Sequence, residues 1–487
     1  MLERIFRLRE HGTNVRTEVV AGLTTFAAMA YIVFVNPAIL SLAAGGPSSI
    51  PSLLCATCLA AAFGTLLMAF GANYPVALAP GMGENIFFVG AVLAWGLTFE
   101  QALGVIFLSG LLFLLLTLLQ IRQRLLDAVP DGLKFAIAAG IGLLIAFVGL
   151  ADAGIVVRDN GGMQGAMAAV AAAPAAGTDA LREQLFGALD ATVSAPGFVR
   201  LGDLTSPPTL LALFGLGVTL VLVVRKVRGA ILWGIAAATV VAWAAGLVHY
   251  AGVAALPAAP PVLRLDLASL FSADVWARAL PLVGVFLFMD VFDTMGTLIG
   301  VGERAGLMRD GRLPRANRAM LADAGGTMAG ALLGTSTVTS FVESAAGVQE
   351  GGRTGLTAVV VAVLFVVAAF LSPLVAMVGG GVAVPGTLPG APVFLQPITA
   401  AALIIVGAMM VRPITKIDWD DWSEAFPAFV TVLVMPLTLS IAHGIAAGFV
   451  TYDLAKLAKG EARRVGWVVH VVALLCVARY AAEGFAL

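Results

Sequence analysis

Gly334-Thr335-Ser336-Thr337-Val338-Thr339-Ser340-Phe341-Val342-Glu343-Ser344-Ala345-Ala346-Gly347 decides how this chain folds. Its first half is a run of hydroxyl-bearing, largely β-branched residues, which favours a short extended strand over a helix. A helix is expected to begin near Phe341–Glu343 and to end by residue 350. Such a helix is too short to cross a hydrocarbon core, which takes about 20 helical residues. Yet the stretch lies between two apolar spans, 317–335 and 355–378, that are close to full length. A half-helix entered from a strand turns its free N–H groups and its positive dipole end toward the centre of the protein.

The first half of the chain holds a counterpart, Ala77-Leu78-Ala79-Pro80-Gly81-Met82-Gly83-Glu84-Asn85-Ile86-Phe87-Phe88. Pro80 prevents a regular helix, and Gly81 and Gly83 permit close backbone approach, so a short helix again follows a non-helical entry. Shifting the halves by 259 residues lays Glu84 on Glu343 and Asn85 on Ser344. Each half carries seven segments, an odd number, so the second copy is expected to run inverted. Inverted repeats whose broken helices meet near the bilayer midplane are a signature of secondary transporters.

Composition agrees with that reading. Of 487 residues 60% are hydrophobic and 12% charged, with mean hydropathy +0.99, far beyond what a water-soluble domain needs. The expected fold is an all-α polytopic membrane protein of about fourteen transmembrane segments. These form two inverted seven-segment repeats, residues 1–250 and 265–487, with strand-plus-half-helix segments near 75–93 and 334–350. Arg4, Arg7, Arg9 and Arg16 precede the first span and put the N-terminus in the cytoplasm. The basic stretches Arg122–Lys134, Arg225–Arg228, Arg304–Arg318, Arg353 and Arg412–Lys416 then fall on the same side. The loops 43–49, 94–99 and 379–392 carry no Lys or Arg and fall outside, as does the Ala/Gly/Pro-rich segment 151–207. In the tail, a pair 426–443 and 444–457 is expected to return Lys456, Lys459, Arg463 and Arg464 to the cytoplasm, with 465–482 as an extra helix. Asp418–Asp421 with Trp419 and Trp422 reads as an interfacial amphipathic helix.

Several classes are excluded. Nothing resembles a cleaved signal peptide. Cys55 and Cys58 have CxxC spacing but sit in a spanning helix with no second ligand pair, so no metal is expected. There is no Walker motif or dinucleotide fingerprint, so ATP-driven pumping is not expected; neither enzymatic activity, a cofactor nor a nucleic-acid partner is expected.

A charge at mid-membrane costs roughly 3 kcal/mol on insertion scales, so intramembrane acids point to chemistry. Four stand out: Glu84, Asp290, Asp293 and Glu343. Asp290 and Asp293, at i and i+3, share one helical face with Thr294 and Thr297 on or beside it. The alternative is a pair of acids neutralised by Arg or helix ends, but the central spans hold no Lys or Arg. Glu343 at the half-helix start is a substrate acceptor or a cap, and Ser340 suffices as a cap. Asn85 offers one acceptor and two donors without charge, which suits the edge of a heteroaromatic ring; the plainer alternative is an N-terminal cap. Glu84 faces about 100° away from Asn85 on the helix. Tyr31, Phe34, Phe87, Phe88 and Phe341 are candidates to stack on a planar base, and Phe341, two residues before Glu343, is the best placed.

Together, Phe288-Met289-Asp290-Val291-Phe292-Asp293-Thr294-Met295-Gly296-Thr297, the Gly334–Ser344 stretch, Glu350-Gly351-Gly352-Arg353-Thr354-Gly355-Leu356-Thr357, Ala79–Asn85 and the first span through Asn36-Pro37 resemble the AzgA-type branch of the nucleobase–ascorbate/nucleobase–cation symporter superfamily. The resemblance covers nearly the whole chain. It implies interleaved core and gate domains, frequent homodimerisation through the gate, and import of hypoxanthine, guanine or adenine with protons across the inner membrane. It also implies substrate roles for Asn85, Asp290 and Glu343, with Asp293 coupling or orienting, and a site lined by Phe341 and by Val342 through its backbone; Ser344 and Glu84 are expected as further substrate contacts, and Thr294, with Asp290 and Glu343, beside Asp293 in coupling or orienting. Glu84 departs from the apolar residue the family pattern leads one to expect, and the 151–207 segment is longer than the family needs. Two rivals are a sulfate-permease-type anion carrier of the same architecture and a non-transporting membrane receptor.

Overall fold

The protein is described from a computed structural model covering residues 2–93, 95–119, 130–158, 199–227, 229–250, 252–307, 313–379, 381–384, 393–439, 441–461 and 465–484. Most of the 151–207 segment, parts of the basic loops at Arg122–Lys134 and Arg304–Arg318, and Arg463 and Arg464 lie outside these residues.

The described chain is mainly helical. In order it forms α1 (Leu2–Phe6), α2 (Val15–Met29), α3 (Ile32–Ser41), α4 (Ile50–Leu67), β1 (Leu78–Pro80), α5 (Met82–Leu93), α6 (Phe99–Leu118), α7 (Asp131–Asp152), β2 (Val156–Arg158), β3 (Val199–Leu201), α8 (Pro207–Val224) and α9 (Ala230–Ala244). After a single turn at Leu267–Leu270 come α10 (Ala273–Arg304), α11 (Ala316–Leu333), β4 (Val338–Ser340), α12 (Ser344–Gln349), α13 (Gly355–Ala368) and α14 (Ser372–Gly379). Then follow β5 (Val382–Val384), β6 (Val393–Leu395), α15 (Pro397–Met410), α16 (Trp422–Thr438), α17 (Ile441–Ala458) and α18 (Trp467–Gly484). Among the described residues eight helical stretches are long and apolar enough to cross a bilayer, and three shorter apolar helices include α5. This is a multi-pass membrane protein.

Local chemistry explains the element ends. Asn14 caps α2, its side-chain oxygen accepting from the Thr17 N–H at 3.0 Å. Thr98 and Gln101 form a reciprocal capping box at the start of α6, Thr98 accepting at 3.1 Å and Gln101 at 3.0 Å. Asp421 caps α16 from one side only, its carboxylate accepting from the Ser423 N–H at 2.9 Å. The stretch read as an interfacial amphipathic helix is therefore corrected. A short 3-10 turn at Arg412–Lys416 is followed by a loop, because Asp418 and Asp421 both turn their carboxylates onto nearby backbone N–H groups. The span expected at 355–378 is broken into α13 and α14, and that at 229–250 ends early, at Ala244. The tail forms the expected helix pair, α16 and α17, followed by α18.

The helices pack as two groups. In the first, α4 lies against α11 and α13, α11 also against α6, and α2 against α12 and α13. In the second, α7 packs against α15, α16 and α17, and α8 against α9 and α15. Small residues set the closest approaches. A Cβ added to Gly407 would stand 2.5 Å from the Gly142 carbonyl, so α7 and α15 cross backbone to backbone. Between the groups, Phe288 of α10 meets Phe449 of α17 with ring centroids 6.0 Å apart.

The centre of the first group is not helical. β1 and β4, from opposite halves of the chain, pair antiparallel with Leu78 opposite Ser340, Ala79 opposite Thr339 and Pro80 opposite Val338. The ladder is extended at both ends by Gly81 N–H to the Thr337 carbonyl at 3.0 Å and Phe341 N–H to the Ala77 carbonyl at 2.9 Å. Each strand uses the other to satisfy backbone groups that no water reaches, the requirement for non-helical backbone at membrane depth.

Candidate functional site

The strand pair gathers the acids. α5 and α12 begin beside it, and α10 and α11 flank it. Thr327 of α11 donates to Asp290 Oδ2 at 2.9 Å and lies 3.1 Å from the Val338 carbonyl. Ser340 donates to Asp323 Oδ1 at 3.0 Å. Thr294 and Thr339 hydroxyls meet at 2.8 Å, in the turn after Asp293. Tyr31 donates to Glu343 Oε1 at 2.9 Å. Ser336 donates to the side-chain oxygen of Asn85, and Ser344 Oγ accepts from the Ala77 N–H at 3.0 Å.

Two environments result. Asp290 and Asp323 are fully buried neighbours. Asp290 Oδ1 and Asp323 Oδ2 have no donor. Two ionised carboxylates can only accept, so neither can supply the donor that the other lacks. Asp293 and Glu343 are only half-buried, and Val342 beside them is exposed. Among the described residues none of these acids, nor Glu84, forms an ion pair with Lys, Arg or His.

Glu84, Asn85, Phe341 and Ser344 are buried around the same strands. Glu84 folds back over the strand end, so that a Cβ on Gly81 would collide with its carboxylate. Of the aromatic candidates, Phe87 packs against Phe286 at 4.8 Å between centroids and Phe88 against Phe99 at 5.1 Å, which is core packing. Tyr31 serves as a hydrogen-bond donor to Glu343.

Sequence reasoning missed Asp323. It lies within an apolar span, in Ala322-Asp323-Ala324-Gly325-Gly326-Thr327, and the rule that selected the other four acids applies to it equally. Glu18 is a further buried acid, of the opposite kind. It accepts from the N–H groups of Arg353 at 3.0 Å, Thr354 at 3.3 Å and Thr357 at 3.2 Å, and from the Thr357 hydroxyl at 2.6 Å. That carboxylate is saturated by the N-terminus of α13 and is structural. The contrast with the donor-poor Asp290 separates an acid that holds the fold from one available for chemistry.

The architecture is that of a membrane transporter. The fold matches the transmembrane domain of a cyanobacterial bicarbonate transporter, BicA, with TM-score 0.60 at 16% identity, over 88% of this chain and 97% of that one. It also matches SLC26A9 with TM-score 0.59 at 12% identity, over 91% of this chain and 66% of that one.

The chain belongs to the Permease family, whose model matches residues 16–176 and 182–447. It is 41% identical to the guanine/hypoxanthine permease PbuO of Bacillus subtilis, over 97% of this chain and 98% of the relative. It is 40% identical to the adenine permease AdeP of Escherichia coli, over 98% of this chain and 95% of the relative. The expected resemblance is thereby borne out, and the protein is a permease, not an enzyme.

Proposed function

We propose that this permease imports purine nucleobases with protons across the inner membrane by alternating access. The observation that carries the reading is a group of carboxyls that, among the described residues, have no cationic partner, gathered on a strand pair between two half-helices. Guanine, hypoxanthine and adenine are what the relatives' names specify. A neutral purine presents N–H groups and acceptor nitrogens on one edge. An ionised carboxylate accepting from such N–H groups in a water-poor site forms charge-assisted bonds.

Exposure divides the roles. Glu343 and Asp293, half-buried beside Val342, hold the base, Phe341 and Asn85 complete its surroundings, and Tyr31 orients Glu343. Asp290 and Asp323, closed off and facing one another, hold the coupling proton. The family resemblance gives the base to Asp290; its full burial under Thr327 favours the proton instead.

The reading includes about fourteen segments in two inverted repeats, 1–250 and 265–487, with the N-terminus cytoplasmic. In its support, Ala79 pairs with Thr339, 260 positions on, within one residue of the 259-residue shift between the halves. That near-coincidence supports a two-fold axis through the strand pair. The group around α4 and α11 is the core domain and the group around α7 and α15 the gate, through which two copies associate. Rocking of one against the other, across the Phe288–Phe449 contact, exposes the site alternately.

The fold similarity to BicA and SLC26A9 raises an anion carrier as the second reading. A cluster of acids with no cation beside it among the described residues opposes it, since a bound anion would meet like charge. The deciding experiment is uptake of labelled hypoxanthine into vesicles, with and without a pH gradient, competed by purines, pyrimidines and bicarbonate. Accumulation that follows the pH gradient and yields to purines supports the reading. Equilibrium binding without accumulation would indicate a receptor, and competition by bicarbonate alone the anion carrier.

A further inference from the structure

Away from the carboxyl site, a cavity of about 480 Å³ opens where α1, the turn after α4 and the start of α11 converge. Among the described residues, Arg7, Arg315 and Arg318 line it together with His11, against a single carboxylate, Glu10. Arg7 and Glu10 are 3.7 Å apart and both largely exposed, so this pair leaves the excess of positive charge almost intact.

The arginines are positioned individually. Arg7 follows the last residue of α1 with φ of 52°, the left-handed conformation in which glycine or asparagine usually ends a helix. A long cationic side chain stands there instead. Arg315 donates its backbone N–H to the Tyr74 hydroxyl at 3.0 Å, while its guanidinium lies 4.9 Å from the centre of the Tyr74 ring. That stacking holds the guanidinium plane and leaves its N–H donors available to a ligand. Arg318, one turn further along α11, is exposed.

The rim is apolar. Ile5 and Phe70 both line the cavity and are 43% and 60% exposed. A basic pocket with an exposed apolar edge at the end of a transmembrane helix meets the interface of the bilayer, where phosphate groups lie. The volume is within the range of small-molecule sites and too large for a bare phosphate ion.

We propose that this cavity is a binding site for a phosphate ester, held by Arg7, Arg315 and Arg318. An anionic lipid headgroup presents that chemistry, with its chains running over Ile5 and Phe70, and so does a soluble phosphorylated metabolite. The site stands independently of the purine reading.

The test uses purified full-length protein and the double variant Arg315→Gln/Arg318→Gln. Phosphatidylglycerol binding is measured by native mass spectrometry with phosphatidylcholine as the control, and glycerol 3-phosphate binding by calorimetry. A basic residue near an anionic surface contributes about fivefold in affinity, so the double variant is expected to bind phosphatidylglycerol roughly twenty-five-fold more weakly, with phosphatidylcholine unchanged. Glycerol 3-phosphate binding that the variant abolishes, without a lipid effect, identifies a soluble ester as the occupant and supports the site. Equal binding of both probes to wild type and variant overturns it. If the double variant does not elute as wild type, Arg318→Gln alone, at an exposed position, is expected to weaken binding of phosphatidylglycerol or of glycerol 3-phosphate about fivefold; no change with either probe overturns the proposal.

Discussion

At the scale of single residues, the Tyr31–Glu343 bond of 2.9 Å makes two substitutions informative. Glu343→Gln keeps the volume and removes the charge, so uptake is expected to vanish while the purified protein elutes as wild type. Uptake near the wild-type rate would remove Glu343 from the site. Tyr31→Phe removes one donor to a charged group, a contribution of about 1.5 kcal/mol, so purine affinity should fall roughly tenfold without loss of folding. The two aspartates are separated by a second pair of measurements. Asp293→Asn should lose purine binding by calorimetry. Asp290→Asn should retain binding but lose accumulation driven by a pH gradient. The opposite pattern would return the base to Asp290, and the carboxyl cluster would stand with the roles exchanged. Asp290→Asn also tests Asp323, because the amide can donate to the Asp323 oxygen that lacks a donor and so replace the proton.

At the scale of elements, the N-terminus of α13 depends on one side chain. Glu18 of α2 accepts from three backbone N–H groups and one hydroxyl there. Glu18→Gln leaves a single acceptor oxygen and should cost about 2 kcal/mol or more, seen as a lower Tm in detergent with purine affinity retained. A Tm equal to wild type would mean that packing alone positions α13. The clasp joining α16 and α17 is electrostatic. The hydrogen bond from Lys459 to Asp421, 2.7 Å long, holds the Asp421 carboxyl well below the usual carboxylate range, helped by the Ser423 donors. A lowered carboxyl pKa contributes stability above its unfolded value, near ~4, and that stability is lost only as pH falls further. Purine uptake that varies between about pH 5 and pH 8 therefore does not originate in this clasp.

At the scale of the whole molecule, the proposed topology puts the loop before α11 and the segment before α8 on opposite sides of the membrane. In a Cys476→Ser background, with Cys55 and Cys58 buried, Asn317→Cys should react with a membrane-impermeant thiol reagent only from the cytoplasm, and Thr205→Cys only from outside. Labelling in the reverse sense would overturn the orientation. Labelling of both from one side would overturn the inverted repeat.

The sequence by itself determined the class of fold, because the bilayer leaves so little choice. Long apolar runs must become helices, and the Pro80-Gly81 and Thr335–Ser340 stretches cannot, so both broken segments were legible from local chemistry alone. Asp290, Asp293 and Glu343 were legible because a charge amid apolar residues is costly wherever the chain goes. Only the tertiary structure decided what each acid does. Glu18 and Asp323 are both buried acids in the sequence of a span, yet one meets a row of N–H donors and the other faces a second carboxyl. Tyr31 and Glu343 lie 312 residues apart, and no local pattern couples them. The pairing of β1 with β4 is likewise non-local. It arises because two strands buried at membrane depth have no water to bond, and each is the other's source of donors and acceptors.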